Sequence, residues 1–430
     1  MKTFFRRTIM AGAAMLALPL LAAAPADAAT ELRIMWYSDA NEGDVMRDLL
    51  DRFEKANPDI KVALDRVPYK TITDNLPALV SSGQAPDMAR VTDLGGQSSY
   101  YLNLTPYLKD KAYWDVNFKD VLPWVRPPGE TDGVYGLMTQ LTITMPIVNE
   151  TLFQQAGIPL PGPTATWDDW AKAAKAVATK LNVPIPIAID RSGHRIAGPA
   201  ISYGAKFFSP DGQPALVDAG LKTMATKIYG WHNDGVMSKA IWGSVGGAAY
   251  RGANEEFSNG QVVLYMSGSW QFAQFVKTVG DGFDWHGVAN PCGPASCSGM
   301  PGGAALVAYK TSKHPAEIGK LMDYLASEPV YSEFHARTLF LTAHKGLMAK
   351  GIPYAADKPQ IKKSLDAAFA NVKALSPVAY QLQGYRLNRV LFTPLTVRLN
   401  QAISGEMTLD DAFARMTQDM QDGLKAAGVK

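Results

Sequence analysis

Hydrophobic and polar positions alternate along the chain, from about residue 30 onward, in blocks that predict strands and helices in turn. A short apolar run at 32–37 predicts a buried strand. Apolar residues recur at three- and four-residue spacing between Val45 and Phe53, which predicts a helix that stops at Pro58. Alternation at 60–64 predicts a second strand. Strand, helix and strand within about 35 residues indicate a βαβ unit, whose parallel sheet predicts an α/β fold built in layers.

The same periodicities return further along the chain. A helical pattern covers 72–80 and a strand pattern follows at 87–91. Two Thr-x-x-Asp segments, at 166–169 and 408–411, are typical of helix starts, where the Thr hydroxyl oxygen accepts a backbone N–H bond. Pro315 predicts the start of another helix. A chain of about 400 residues beyond the leader exceeds one hydrophobic core, so we expect two α/β domains with no flexible linker.

The first 28 residues have the pattern of a signal peptide. Basic residues precede an apolar stretch at 9–24, and 26–28 read Ala-Asp-Ala, as at a cleavage site. The stretch is short for a bilayer span of about 20 residues. We therefore predict that 1–28 is a signal peptide, cleaved near Ala28 after export to the periplasm. The pair Arg6-Arg7 leaves twin-arginine export open beside ordinary secretion.

Charge and cysteine content narrow the classes of partner. The net charge is +2, and loss of the predicted signal peptide removes three cations and one anion, so the mature chain is close to neutral. Such a balance gives no reason to expect nucleic acid or anionic lipid as partner.

Cys292 and Cys297 are five residues apart in an exported chain, which predicts a disulfide that closes a small loop. A metal site needs about four ligands, and His286 alone is nearby, so we expect no metal or cofactor.

Short motifs follow one another along nearly the whole mature chain. In order they are Phe53-Glu-Lys-Ala-Asn-Pro-Asp, Ser82-Gly-Gln-Ala-Pro-Asp, Leu104-Thr-Pro-Tyr-Leu, Asp132-Gly-Val-Tyr-Gly, Thr166-Trp-Asp-Asp-Trp, and Phe257-Ser-Asn-Gly through Trp270. In this order they resemble the carbohydrate-type (family 1) extracellular solute-binding proteins of ABC importers, the maltose-binding-protein-like group. Val134 stands where the family usually has lysine, and Met138 where a proline is usual, which leaves the identity of the sugar open.

The resemblance implies a two-lobed periplasmic binding protein-like fold of type II. Each lobe would be an α/β sheet flanked by helices, and a hinge of two or three crossing strands would join them. By analogy the first lobe takes 29–140 plus 300–340, and the second takes 141–299 plus 341–430. Such a protein closes around its ligand by hinge motion. The resemblance also implies a monomer that docks, when closed, on the membrane permease of an ABC importer.

The chemistry of a sugar selects the first candidate ligand-binding residues. Sugars have apolar C–H faces, and hydroxyls that both donate and accept, so a site needs aromatic faces with polar groups at their edges. The chain has nine tryptophans. Trp270 is the first candidate because it ends a predicted strand at a Gly-Ser turn, where ligands bind in α/β lobes. Trp231 and Trp242 follow because their glycine-rich surroundings predict loops, whereas Trp36 should be buried in the first strand.

Polar residues near the expected cleft complete the set. The turn after the first strand carries Tyr37, Asp39 and Asn41, although Asp39 and Asn41 can equally cap the next helix. Asp93 resembles in position a ligand-binding carboxylate of the family. The other candidates lie at the presumed crossing between lobes, where glycine lets a ligand approach the backbone, or at the cleft edge: Gln140, Thr144, Gly302, Gly303, Arg337 and Tyr385. For Arg337 and Tyr385, a surface ion pair or simple packing is the alternative.

Other classes of function are less well supported. The sequence has no His-Glu-x-x-His, no Gly-x-Ser-x-Gly and no phosphate loop, so we do not expect an enzyme. A secreted glycosidase stays as an alternative, because it needs only two suitably spaced carboxylates. Capture of a polyol, a glycerophosphodiester or a polyamine by the same fold is the second alternative. The pattern does not decide between a monosaccharide and an oligosaccharide.

Overall fold

Two β-sheets form the framework of the computed structural model, which describes Met1 and residues 29–355 and 357–429. The predicted signal peptide lies, apart from Met1, outside the described residues. The strands are β1 (Thr30–Trp36), β2 (Ile60–Arg66), β3 (Met88–Val91), β4 (Gly136–Ile143), β5 (Pro146–Asn149), β6 (Ile185–Ile189), β7 (Val262–Met266), β8 (Trp285–Gly287) and β9 (Pro301–Ala308).

Helices cover both sheets. They are α1 (Glu42–Ala56), α2 (Leu76–Ser81), α3 (Lys111–Phe118), α4 (Glu150–Ala156), α5 (Trp167–Leu181), α6 (Gly193–Ser202), α7 (Ala219–Asn233), α8 (Lys239–Trp242), α9 (Asn254–Ser258), α10 (Phe272–Thr278), α11 (Pro315–Ala326), α12 (Glu328–Thr338), α13 (Lys345–Lys350), α14 (Pro359–Lys373), α15 (Pro377–Gly384), α16 (Asn388–Ser404) and α17 (Leu409–Ala426). Among the described helices, none is long and apolar enough to cross a bilayer.

The first sheet has the strand order β2-β1-β3-β9-β4. Strand β1 is parallel to β2 and β3, which confirms the predicted βαβ unit. Strand β9 runs antiparallel to β3 and β4 and so returns from a distant part of the chain. The second sheet has the order β6-β7-β5-β8, with β6 parallel to β7 and β5 antiparallel to both its neighbours.

The chain passes between the two sheets at three places. Strand β4 of the first sheet leads to β5 of the second within three residues, and the segment 288–300 returns from β8 to β9. After α12 the chain pairs Leu341 with Leu141 of β4 and then continues to α14, which packs on β8. We propose the division into the first lobe (29–140 and 300–340) and the second lobe (141–299 and 341–430), with one sheet in each.

Local patterns explain most elements. The predicted apolar face of α1, from Val45 to Phe53, is buried against the sheet. Thr166 and Asp169 form the expected capping box, in which each side chain accepts the other residue's backbone N–H. The helix predicted at 72–80 is instead a π-helical turn (Thr71–Asn75) followed by α2. Pro77 has no N–H to donate to residue 73, which disfavours a continuous α-helix there.

The loop prediction around Trp231 and Trp242 was wrong. Trp231 lies inside α7 and Trp242 is the last residue of α8. Apolar residues spaced along α7 bury one face of that helix, and this burial outweighs the cost of about 1 kcal/mol for Gly230 in its interior. The disulfide predicted between Cys292 and Cys297 is present.

Candidate functional site

A cleft lies where the strand ends of the two sheets face each other. The carboxyl ends of β1 and β3 carry the loops 37–41 and 92–96, and the connection after β2 carries Tyr69. On the opposite side are the residues that follow β6 and β7, together with Tyr250. The rings of Tyr69 and Tyr250 meet edge-on with their centroids 6.3 Å apart, so the two sides are in contact in this structure.

Asp39 is the carboxylate of the first lobe at the centre of this cleft. It lies deep in the molecule, yet 26% of its side chain remains accessible. Burial first and the nearby Glu42 carboxylate second raise the pKa of Asp39 to about 7, against the opposing effect of Arg90 and Arg195. Because Arg195 lies in the proposed second lobe, charged groups from both sides of the cleft act on Asp39.

Arg90 fixes the loop that carries Asp39. Its guanidinium is fully buried and donates to the Tyr37 carbonyl oxygen (2.7 Å), Glu42 Oε1 (2.8 Å) and Gln140 Oε1 (2.7 Å). It also lies 4.2 Å from the ring centroid of Tyr37. Burial and the neighbouring carboxylates raise the pKa of the Tyr37 hydroxyl, although Arg90 opposes this shift. Tyr37 and Asp39 are therefore held by a buried charge rather than by a flexible turn.

Trp270 is the aromatic group of the second lobe at the cleft. Eight of the nine tryptophans are buried, and Trp270 alone is partly exposed. It lies in a short 3₁₀ turn (Ser269–Gln271), four residues beyond the end of β7. Gly268 makes room for the indole, since a Cβ there would lie 1.9 Å from Trp270 Cζ3. The Arg195 guanidinium lies 4.3 Å from the ring centroid.

Asp190 organises the second-lobe side from a fully buried position at the end of β6. It accepts hydrogen bonds from the hydroxyls of Tyr265 (2.5 Å), Ser267 (2.8 Å) and Tyr250 (2.9 Å). Its Oδ2 lies 3.5 Å from Arg195 Nε. Burial raises the pKa of Asp190, whereas Arg195 and the three hydroxyls lower it. Two of its partners, Tyr250 and Arg195, lie at the cleft, so Asp190 positions both.

His194 supports Arg195 from behind. Burial and the adjacent Arg195 lower the pKa of His194 to about 3, so its ring is neutral. Nε2 lies 3.0 Å from the Pro301 carbonyl oxygen and 3.1 Å from Gln383 Oε1; both partners accept, so Nε2 donates. Nδ1 is then free to accept from Arg195 Nη1 at 3.1 Å.

A cavity of about 260 Å³ opens on the first-lobe side, between the loop after β1, the start of α1 and the end of β2. It is lined by Ser38, Ala40, Gly43, Asp44, Arg66, Val67 and Pro68. Within the described part of the chain, no three His, Cys, Asp or Glu residues are grouped so as to hold a metal ion.

The structure brings some predicted residues to this cleft. Tyr37, Asp39 and Trp270 lie there as described above. Asp93 accepts the Gly96 N–H at 3.1 Å and lies beside Arg389, which approaches Thr92 Oγ1 at 3.4 Å. Tyr385 is partly buried, with its ring edge-on to Phe208 and its hydroxyl without a partner in the described residues.

Four other predicted residues lie at or beside the passage between the sheets. Gln140 is buried and bonds Arg90, and Thr144 Oγ1 accepts the Met300 N–H at 2.6 Å. Gly303 has φ +150° opposite an irregularity of β4, and a Cβ there would lie 2.0 Å from the Gln140 carbonyl oxygen. A Cβ on Gly302 would meet Thr142 Oγ1 at 2.9 Å. These positions favour a role in strand pairing and packing.

The remaining predicted residues lie away from the cleft. Trp242 is fully buried, with Nε1 donating to the Ile189 carbonyl oxygen at 2.9 Å, and Trp231 packs against Trp167. Arg337 pairs with Asp48 and Glu333 at the surface, and its carbonyl oxygen accepts from Asn41. This placement favours packing for the tryptophans and a surface ion-pair network for Arg337.

Sequence reasoning missed the polar groups of the second lobe. Asp190 and Arg195 follow an apolar run at 185–189 that ends as β6. Ligands in α/β folds bind at the carboxyl ends of strands, and this rule selected Asp39. It would also have selected Asp190 and Arg195 if the run at 185–189 had been recognised as a strand. Tyr69 and Tyr250 follow no comparable signal, because they meet only through the approach of the lobes.

Two sheets between which the chain passes at three places, with a cleft between their strand ends, define a two-lobed periplasmic binding protein-like fold of type II. Residues 38–331 match the sequence pattern of one family, the bacterial extracellular solute-binding proteins, which makes the assignment specific. The chain belongs to this family, as its ordered motifs predicted.

Known proteins share this architecture at low sequence identity. A Brucella abortus (strain 2308) binding protein is 24% identical over 352 residues, covering 78% of this chain and 80% of that protein. A Listeria monocytogenes ABC substrate-binding protein in complex with cycloalternan superposes with a TM-score of 0.74 at 17% identity, over 94% and 100% of the two chains. A Thermotoga lettingae solute-binding protein bound with α-D-tagatose gives 0.75 at 16% identity, over 92% and 100%.

Proposed function

We propose that the protein captures a sugar in the cleft and delivers it to the permease of an ABC importer by closing its hinge. The observation that carries the proposal is the placement of Trp270. It is the one tryptophan that is partly exposed, Arg195 lies beside its ring, and Asp39 in turn lies near Arg195. An exported family and a predicted signal peptide support capture in the periplasm.

The three side chains supply the chemistry that a sugar needs. Indole covers an apolar C–H face, a guanidinium donates to ring and hydroxyl oxygens, and a carboxylate accepts from hydroxyls. Each hydroxyl left unpaired in the closed cleft costs about 1–3 kcal/mol, so the polar groups select among sugars. The Listeria and Thermotoga proteins, bound with cycloalternan and α-D-tagatose, support a sugar as the class of ligand.

The two walls of the cleft carry charged groups of opposite sign. Arg195 and Arg389 both lie on the second-lobe side of the cleft and would repel a polycation. Asp39 and Asp93 on the first-lobe side would in turn repel a phosphodiester. A neutral polyhydroxyl ligand can bond both walls, which is why we favour a sugar over a charged solute.

Substitution of Trp270 tests the site. We expect Trp270→Ala to weaken sugar binding about tenfold or more, which corresponds to about 1.4 kcal/mol, because the apolar face is lost. Titration calorimetry with the sugar that binds the wild-type protein measures the change. Unchanged affinity in a folded variant would remove Trp270 from the site.

Phe369→Ala is the matched control. Phe369 is an aromatic residue of α14 with 38% exposure that packs against Tyr354. Its loss should leave sugar affinity within about twofold, since it touches no residue of the cleft described above. Comparable losses in both variants would indicate a general effect on folding instead of a contact with ligand.

A further inference from the structure

Arg191 is a fully buried cation that binds a loop instead of a carboxylate. Its Nη2 donates to the Gly247 carbonyl oxygen at 2.6 Å, its Nη1 donates to the Ala249 carbonyl oxygen, and its Nε donates to Asn400 Oδ1 at 3.3 Å. Burial lowers the pKa of Arg191, and no charged group of the described residues opposes this shift. Because a buried charge needs polar partners, the carbonyl groups of the loop stabilise this guanidinium, and the guanidinium in turn fixes the loop.

The loop held in this way, residues 243–250, carries Tyr250 to the cleft. It follows α8 and is mostly exposed on its outer side. Asn400 of α16 donates to the Val245 carbonyl oxygen at 3.2 Å, which holds the loop at a further place. Arg251, directly after the loop, forms a backbone bridge with the buried arginine. The loop is therefore fixed from inside along its whole length.

Tyr250 and Tyr69 are each anchored on their own side of the cleft. The Tyr250 hydroxyl donates to Asp190 Oδ2 at 2.9 Å, and the Tyr69 hydroxyl lies 2.9 Å from Thr92 Oγ1. The two rings meet edge-on, and Tyr250 keeps 43% of its surface exposed. Since both hydroxyls have partners within their own wall, the rings provide apolar surface at the point where the walls meet.

We propose that Arg191 is a positioning residue of the sugar site. By fixing the loop 243–250 it places Tyr250 opposite Tyr69, so that the two rings close the cleft over a captured sugar and slow its release. Arg191 is buried and acts only through the loop. The inference rests on the proposed function, but the placement of Tyr250 can be measured without any sugar.

Cross-linking of the native tyrosines measures this placement. Photo-oxidation with ruthenium tris(bipyridyl) joins neighbouring tyrosine rings. It can join Tyr69 to Tyr250 across the cleft or to Tyr37 on its own side, where the ring centroids are 4.9 Å apart. Trypsin releases the three tyrosines on separate peptides, so mass spectrometry gives the ratio of the two products. The link within the first wall serves as the internal reference, because it does not involve the loop.

Two variants disturb the loop in different ways, and a third is the matched control. Arg191→Met removes the donors. Gly247→Ala leaves the buried cation in place but strains the loop, because Gly247 has φ +58°. Gly246→Ala is the control, since its φ is not positive and a Cβ at either glycine meets nothing within 4 Å. Gly247→Ala also keeps the proposal testable if Arg191→Met does not fold.

The ratio of the Tyr69–Tyr250 product to the Tyr37–Tyr69 product should agree within about twofold between the wild-type protein and Gly246→Ala. It should fall about fivefold or more in Arg191→Met and Gly247→Ala, because the hydrogen bonds that fix the loop are lost or strained. Titration calorimetry with D-glucose, D-galactose, D-tagatose, sucrose, maltose and maltotriose gives the second readout. The dissociation constant of each saccharide that binds the wild-type protein should rise about fivefold or more in the same two variants.

Each part of the proposal has a result that overturns it. Absence of the Tyr69–Tyr250 product in the wild-type protein, or an unchanged ratio in both loop variants, would overturn the positioning role of Arg191. A lower ratio with unchanged dissociation constants would show that the two rings do not retain the sugar. Absence of binding to every saccharide by the wild-type protein would count against the proposed function itself, while the cross-linking ratio would still decide whether Arg191 positions Tyr250.

Discussion

Asp39 is the cleft side chain on which charged groups from both sides of the cleft act. Its own loop places it next to Glu42 and Arg90, and Arg195 approaches it from the other side of the cleft. Burial dominates, so the pKa of Asp39 is raised to about 7. A carboxyl group of this kind exchanges its proton near neutral pH, and its charge state therefore depends on how the cleft is filled.

The raised pKa predicts a pH-dependent effect of Asp39→Asn on stability. In the unfolded chain the pKa of Asp is about 3.9, so the native state holds the proton more tightly between about pH 4 and pH 7. The contribution of Asp39 to the free energy of unfolding therefore falls as pH rises through this window. Asn does not titrate, so the stability of Asp39→Asn relative to wild type should rise by about 4 kcal/mol between pH 4 and pH 8.

Urea unfolding at pH 4 and pH 8 measures this difference. Asp59→Asn, at an exposed position before β2, serves as the control for the substitution itself. A stability difference between Asp39→Asn and wild type that is equal at both pH values would show that burial does not raise this pKa. If Asp39→Asn were more stable than wild type at pH 4 and less stable at pH 8, the pKa of Asp39 would be lowered in the native state instead of raised.

At the scale of residues, the sequence predicted one wall of the site better than the other. Tyr37 and Asp39 follow a strongly apolar strand, whose end located them, and Asp93 was located by its resemblance in position to a family carboxylate. Trp270 was likewise found at the end of a predicted strand. Trp231 and Trp242 were misplaced because local glycines suggested loops, whereas their large side chains are buried by helices that other apolar residues specify.

At the scale of elements, Arg90 joins three parts of the first lobe. It lies on β3, and it bonds Glu42 at the start of α1 and Gln140 of β4. Glu42 also accepts the backbone N–H groups of Asp39 and Ala40. The loop after β1 thus depends on one buried ion pair for its shape.

Loss of this guanidinium should be costly. We expect Arg90→Met to lower the free energy of unfolding by about 3–5 kcal/mol, because the fully buried Glu42 would be left without a cation. Urea unfolding at pH 7 measures the free energy of unfolding of the variant and of wild type. The double variant Arg90→Met with Glu42→Gln should recover part of the loss, since the unpaired charge is removed. A single variant that costs less than about 1 kcal/mol would contradict this role of Arg90.

Elements with a strong local pattern could be predicted, and those set by tertiary pairing could not. The helix α1 and the capping box at Thr166 follow from spacing and from side-chain chemistry. The π-helical turn before α2 depends on a single proline within an otherwise helical pattern. Strand β9 pairs with β3 and β4, which lie more than 150 residues earlier in the chain. No local sequence pattern specifies such a pairing.

At the scale of the whole molecule, the strand crossings provide both the hinge and the cleft. Residues 144–145, 288–300 and those after Leu341 join the proposed lobes, and we propose that a small change in these segments moves one sheet relative to the other. The cleft walls come from parts of the chain that lie far apart in sequence and belong to different sheets. For this reason the family motifs predicted the architecture, while Tyr69, Arg195 and Tyr250 became visible only in the assembled structure.

The most direct test of sugar capture is the melting temperature of the mature protein against a panel of ligands. The panel comprises mono-, di- and oligosaccharides, polyols, a glycerophosphodiester and polyamines. A ligand present at about 100 times its dissociation constant stabilises the native state by about 2.7 kcal/mol, which raises the melting temperature measurably. We expect such a rise with at least one sugar that is recovered unchanged. A rise with a polyamine or glycerophosphodiester and none with any sugar, or turnover of the sugar, would contradict the account.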